Sequence, residues 1–125
     1  MIEQFKSTAE EFIPDARQVS GMDFGYTRES VEWLEVYIER LRKSGQFTDP
    51  TTKTNLVGVF GSFLGECIIH CYGGAWAQRD EGWCVEFRKD TWVLPFARVS
   101  KQFENGLEDG IGWFFEAIPE VFLRV

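Results

Sequence analysis

Glu66 and His70 come nearest in this chain to an acid–base pair by type and spacing. Glu66 stands inside the apolar run Phe63-Leu64-Gly65-Glu66-Cys67-Ile68-Ile69. A carboxyl group there is costly unless it is paired, hydrogen-bonded or at the surface. His70 follows four residues later, so on a helix the two side chains share a face. In a pocket walled by Trp76 and Trp83 they could exchange protons with a bound molecule. The competing role for Glu66 is structural: it caps a neighbouring backbone end, or pairs with Arg79, Arg88 or Arg98. Perturbed carboxylates serve in both ways, and the structural role has the larger share of the expectation.

Sulfur offers a second chemistry. Cys67 and Cys71 lie one helical turn apart, His70 is on an adjacent face, and Cys84 falls on a later strand. Two thiolates and a third ligand could hold zinc. The chain has no Cys-x-x-Cys pair, however, and cysteine is among the most buried residue types in its own right. Neither a metal nor a resident cofactor is expected. A nucleophilic cysteine with His70 as its base is disfavoured, because residues 70 and 71 point about 100° apart on a helix. Gly73-Gly74-Ala75-Trp76 could cradle a phosphate, but the turn follows a helix, whose C-terminal end is negative. A helix stop with strand entry fits it better.

The third constellation is acidic. Glu29, Glu32, Glu35 and Glu39 form a ridge with spacings of 3, 3 and 4 along one helix. Glu39 can pair with Lys43, and the upper ridge has no partner on its own helix. It is either an ordinary solvated face or a docking surface for a basic partner, whose encounter it would speed.

These residues need elements to hold them. Residues 2–13 carry Ile2, Phe5, Phe12 and Ile13 in a weak amphipathic helix that Pro14 is expected to end. Residues 14–26 read as a loop pinned by Met22, Phe24 and Tyr26. Thr27 is a good N-cap, and the stripe Val31, Leu34, Ile38, Leu41 predicts a helix over 28–43 that Gly45 stops. Asp49-Pro50 starts the next helix, 51–72, which stops at Gly73-Gly74. Its second half is apolar on nearly every side, as a central helix is. Gly58, Gly61 and Gly65 share a face there, which suits close packing by another element, three crossing strands in particular.

The period then changes to two. Residues 75–78, 82–88 and 91–96 read as a three-stranded meander, with Trp83, Val85 and Phe87 on one face and Cys84, Glu86 and Arg88 on the other. Pro95 ends the third strand or puts it on an edge. Phe96, Val99 and Phe103 return to helical spacing up to Asn105-Gly106. Asp109 is the expected cap of a last helix with Ile111, Phe114, Phe115 and Ile118 inward, ended or kinked by Pro119, and the tail Val121-Phe122-Leu123 is expected to pack. Segregated helices and strands make the fold class α+β: a central buried helix on a three-stranded antiparallel β-meander, flanked by N- and C-terminal helices.

With 125 residues there is room for one domain: an N-terminal helix and loop over 1–26, then a compact core over 27–125. Aromatics at 16% allow a dense core at this size. A net charge of −7 repels phosphate backbones and anionic membranes, which disfavours both as partners. No apolar run approaches the roughly 20 residues of a bilayer span, and no signal peptide is visible. Three cysteines at these spacings do not make a disulfide framework and favour a reducing compartment.

The pattern Leu64-Gly65-Glu66, Gly73-Gly74-x-Trp76, then Pro95-Phe96-x-x-Val99-x-x-Gln102-Phe103-x-Asn105-Gly106 resembles a group of small uncharacterised bacterial domains over residues 27–118. The resemblance implies a compact α+β fold and a bacterial cytoplasm, and carries over no catalytic residue. By analogy with small acidic bacterial proteins, a toxin-neutralising role comes into view. The expected function is a non-enzymatic protein-binding module, immunity-like or regulatory, with a basic protein partner. The alternative is a small enzyme or ligand-binding protein with its pocket around Glu66 and His70. Monomer and homodimer both stay open; an exposed Trp113 or Phe122 would point to the dimer.

Overall fold

The computed structural model describes residues 1–46 and 49–124. Five α-helices surround and include one central rod, and a three-stranded sheet closes one end of it. The elements are α1 (Ile2–Ser20), α2 (Arg28–Ser44), α3 (Pro50–Tyr72), β1 (Ala75–Arg79), β2 (Gly82–Arg88), β3 (Thr91–Val93), α4 (Pro95–Asn105) and α5 (Ile111–Ile118). A 3₁₀ turn over Gly106–Asp109 joins α4 to α5, and a π-helical turn over Pro119–Leu123 follows α5. The sheet order is β1-β2-β3, antiparallel throughout. This is the α+β arrangement the sequence implies.

The starts of α2 and α3 follow local chemistry. The Thr27 side chain accepts from the Ser30 amide at 3.2 Å, and Asp49 accepts from the Thr52 amide at 3.1 Å, with Pro50 in the first turn. Each cap satisfies one of the amides a helix start leaves free.

The sequence reading and the structure part at α1. Pro14 does not end it; the helix runs on to Ser20. Proline removes one intrahelical bond, to the carbonyl of Glu10, but Pro14 and Glu10 both face solvent, where water can serve that carbonyl. The continuation is held from outside. Ala16 is buried, and Arg17 Nε donates to the Phe24 carbonyl at 2.8 Å. Burial and that bond outweigh the local signal. α1 also belongs to the core: Phe5, Ala9 and Ala16 are buried, and Phe5 packs its ring 4.6 Å from Trp76 and 5.2 Å from Phe96, centroid to centroid.

α3 is buried continuously from Phe60 to Ile68. It is 23 residues long, and an 18-residue window within it reaches a mean hydropathy of 1.3, which is long and apolar enough to cross a bilayer. The run-length expectation is therefore corrected: Gly, Ser and Thr interrupt the apolar residues without lowering the mean far. Half of its most apolar window is covered by the rest of the fold, which fits a soluble protein's core helix.

The glycine face of α3 is used as the spacing suggests, with different occupants. A Cβ on Gly65 would overlap the Trp76 ring of β1, and a Cβ on Gly61 would overlap the Phe96 ring of α4. Gly58 meets nothing within 4 Å. One strand residue and one helix residue thus occupy the face where three strands were expected, and its first third is open. Gly73 and Gly74, at φ 88° and 96°, turn the chain from α3 into β1 through the left-handed region. The third strand stops at Val93, and Pro95 opens α4 instead of closing a strand. On β2 the register to β3 slips between Glu86 and Arg88, a bulge that leaves Phe87 without a partner.

Candidate functional site

Glu66 is buried at 5% exposure on the inner face of α3. Trp76 Nε1 donates to Glu66 Oε2 at 2.8 Å, and His70 Nε2 lies 3.9 Å from Glu66 Oε1. The structure therefore brings Glu66, His70 and Trp76 together. None of the three arginines expected as partners reaches Glu66. Arg79 pairs with Glu86 and stacks over Trp92, Arg88 serves Thr91 Oγ1 and the Phe122 carbonyl, and Arg98 lies over the Phe114 ring. Trp76 and Trp83 pack inward against Phe5 rather than around an opening, and the space beside Glu66 is taken by the Trp76 indole.

The solvent side of this cluster is a stack. The His70 ring lies 4.1 Å from that of Tyr26 at an interplanar angle of 17°, and Tyr26 stacks on Phe63 at 5.8 Å. Partial burial pushes the Tyr26 phenol up to about 12, helped by the nearby carboxylates Glu66 and Glu10. A raised folded pKa favours the neutral phenol, so this contribution to stability is whole below pH 10 and is lost as the pH climbs from about 10 to about 12. In an absorbance titration, one tyrosine of the three should ionise near pH 12. Tyr26→Phe should remove that phase, and Glu66→Gln should move it down. A tyrosinate titration unchanged by Tyr26→Phe would contradict the assignment.

The sulfurs are kept apart. Cys67 is buried on α3, Cys71 is exposed and donates to the Tyr26 carbonyl, and Cys84 is buried on the sheet face turned away from α3. Among the described residues no cluster of three or more His, Cys, Asp or Glu side chains could hold a metal ion. Burial raises the Cys67 thiol well above its ordinary value and raises Cys71 and Cys84 as well, which keeps all three protonated and poor as nucleophiles.

The acidic ridge is divided. Glu35 turns toward the start of α5, where its Oε2 accepts from the amides of Gly112 at 2.8 Å and Trp113 at 3.3 Å. Gln102 completes the arrangement: its Oε1 accepts from the Ile111 amide at 3.0 Å, and its Nε2 donates to the Glu35 carbonyl at 2.8 Å. Three consecutive free amides of α5 are thus capped by side chains from α2 and α4. The expected cap, Asp109, instead accepts from Asn105 Nδ2 at 2.6 Å, and Gly110 precedes the helix. Gly110 and Gly112 are bare because the Glu35 carboxylate occupies the space their side chains would need.

Glu39 is nearly covered and pairs through Oε1 with Arg42 and Lys43. Only Glu29 and Glu32 of the four stand in solvent. They are joined by a residue the sequence did not single out, Glu116 of α5. Arg28 Nε lies 3.4 Å from Glu32 and 3.7 Å from Glu116. The Glu116 carboxyl, hydrogen-bonded to Glu32, raises Glu32 above the usual carboxylate range, burial and the Glu116 charge add to this, and Arg28 opposes it.

No protein-family model, no curated protein and no solved structure matches the chain. The site therefore rests on its geometry.

Beside the carboxylates, Trp113 is 72% exposed, although its backbone amide is tied to Glu35. Val36 is also exposed on α2, at 49%. The crest of α2 and the start of α5 together form a face with an exposed indole, an exposed valine, three carboxylates and one arginine. Phe122, the other residue watched for exposure, is half-buried in the C-terminal turn.

Proposed function

We propose that this chain is a non-enzymatic protein-binding module whose docking face is the α2–α5 seam, and that its partner is a basic protein. The observation that carries this is Trp113: a large ring left in solvent on a capped helix start, one turn before Glu116, which shares Arg28 with Glu32. Tryptophan fixed in place loses little conformational freedom on binding and is favoured at the energetic centre of interfaces. Glu32 and Glu116 crowd each other, with Arg28 as their shared cation, so an arriving lysine or arginine relieves their repulsion and forms charge-assisted bonds. A symmetric dimer through this face would set the same carboxylates against their copies, and the charge disfavours it. In the bacterial cytoplasm that the pattern resemblance implies, such a face suits a toxin-neutralising or regulatory role.

The test is capture from the source organism's lysate on the immobilised protein. The expected result is a stoichiometric basic partner whose affinity falls with salt. Glu29→Lys/Glu32→Lys should weaken it roughly tenfold or more, as should Trp113→Ala alone, with circular dichroism unchanged. A partner held equally by both variants would remove this face from the account.

A further inference from the structure

On the opposite flank of α2 from Glu32 and Glu35 lies a groove of about 240 Å³ between α1, α2 and the first half of α3. Its walls are the rings of Phe12, Trp33, Tyr37 and Phe60, with Asp15 and Val19 among the α1 residues that line it. The rings brace one another: Trp33 and Tyr37 stack at 4.9 Å and 14°, and Phe12 packs against Phe60 at 5.6 Å. The walls are therefore formed without a ligand. The same stretch of α3 is its less covered part, because Leu56 and Val59 are only half-buried. Val19 is 66% exposed, an apolar lip.

Charge decides what this groove suits. Asp15 is the acid lining it, and among the described residues no lysine or arginine lies within ion-pair distance of that carboxylate. Aromatic rings present negative faces that attract cations, and a carboxylate beside them adds to that attraction. The chain's −7 charge adds a weak long-range pull of the same sign. The volume lies below the roughly 300–1,000 Å³ of drug-sized sites, so the matching ligand is small.

We propose that this groove binds a small organic cation with an apolar, ring-sized body: its body between the aromatic walls, its ammonium at Asp15. The proposal is independent of the α2–α5 docking face and uses none of its residues.

The probe is phenethylammonium, with 2-phenylethanol as a neutral molecule of the same size. Binding is followed by the Trp33 indole N–H resonance, assigned with Trp33→Phe. The expected result is saturable movement of that resonance by phenethylammonium, with the alcohol bound at least about fivefold more weakly. Asp15→Asn, at an exposed position on the rim of the groove, should cost the cation about fivefold and leave the alcohol unchanged. Equal affinity for the two probes, an Asp15→Asn protein that binds the cation as well as the parent, or no saturable shift at Trp33 would each overturn the proposal.

Discussion

Trp76→Ala is expected to cost about 3–5 kcal/mol of stability from the lost ring alone. The Trp76 ring fills the hollow above Gly65, packs tilted against Phe5 and stacks on Phe96. It is also the indole donor to a buried carboxyl, and leaving that group without its bond costs a further roughly 1–3 kcal/mol. Trp76→Phe removes the N–H together with the outer indole atoms that lie over Gly65, so it should lose at least the roughly 1–3 kcal/mol of the unmade bond. Adding Glu66→Leu to Trp76→Phe should recover part of that loss, because the polar group in need of a partner is gone. Equilibrium denaturation measures all three. If Trp76→Phe were as stable as the parent, the indole–carboxyl bond would have no structural weight.

The second large effect is expected at Gly65. Even one methyl there meets the Trp76 ring, and the ring has little freedom to retreat, held by Glu66 on one side and by Phe5 and Phe96 on others. Overpacking of this kind costs roughly 1–3 kcal/mol, set against the roughly 1 kcal/mol that alanine gains over glycine in a helix. A Gly65→Ala protein should therefore be destabilised, and Gly65→Leu severely so. The same collision would loosen the indole from Glu66, so the Tyr26 titration should shift with it.

Local signals carried much of the fold. α2 was legible because a cap, an apolar stripe and a stop all lie within its own residues: Thr27, then Val31 to Leu41, then Gly45. The meander was legible from the change of period and from the turn residues between its strands. Pro14 was misread because the forces that carry α1 past it come from a distance, from burial of Ala16 and from the Arg17 bond to Phe24. Asp109 was misread for a related reason. Its type fits a cap, but the α5 amides are served by Glu35 and Gln102, far away in sequence. A hint was present: a helix start flanked by Gly110 and Gly112, with no capping side chain of its own, needs acceptors from elsewhere.

The candidate site was legible in residue types and not in roles. Glu66 stood out correctly as a buried carboxyl, but its partner is an indole on a strand ten residues on, and no helical spacing rule finds such a pair. The four-glutamate ridge was evenly spaced, yet spacing on one helix says nothing about which flank a later helix will cover. α5 covers the flank of Glu35, which turns a surface charge into a cap, and contributes Glu116 and Trp113 to what remains. The aromatic groove was not legible, because Phe12, Trp33 and Phe60 come from three helices.

The arrangement that everything else depends on is α3 at the centre, closed at Gly65 by β1 and open at Gly58. Thermal unfolding of Gly58→Ala beside Gly65→Ala tests it most directly. Gly58→Ala should raise stability by up to about 1 kcal/mol, from helix propensity in open space. Gly65→Ala should lower it by up to about 2 kcal/mol, because the ring is in the way. Two shifts of the same sign would mean that the two glycines see the same surroundings, and that the strand does not close on α3 where Trp76 is placed.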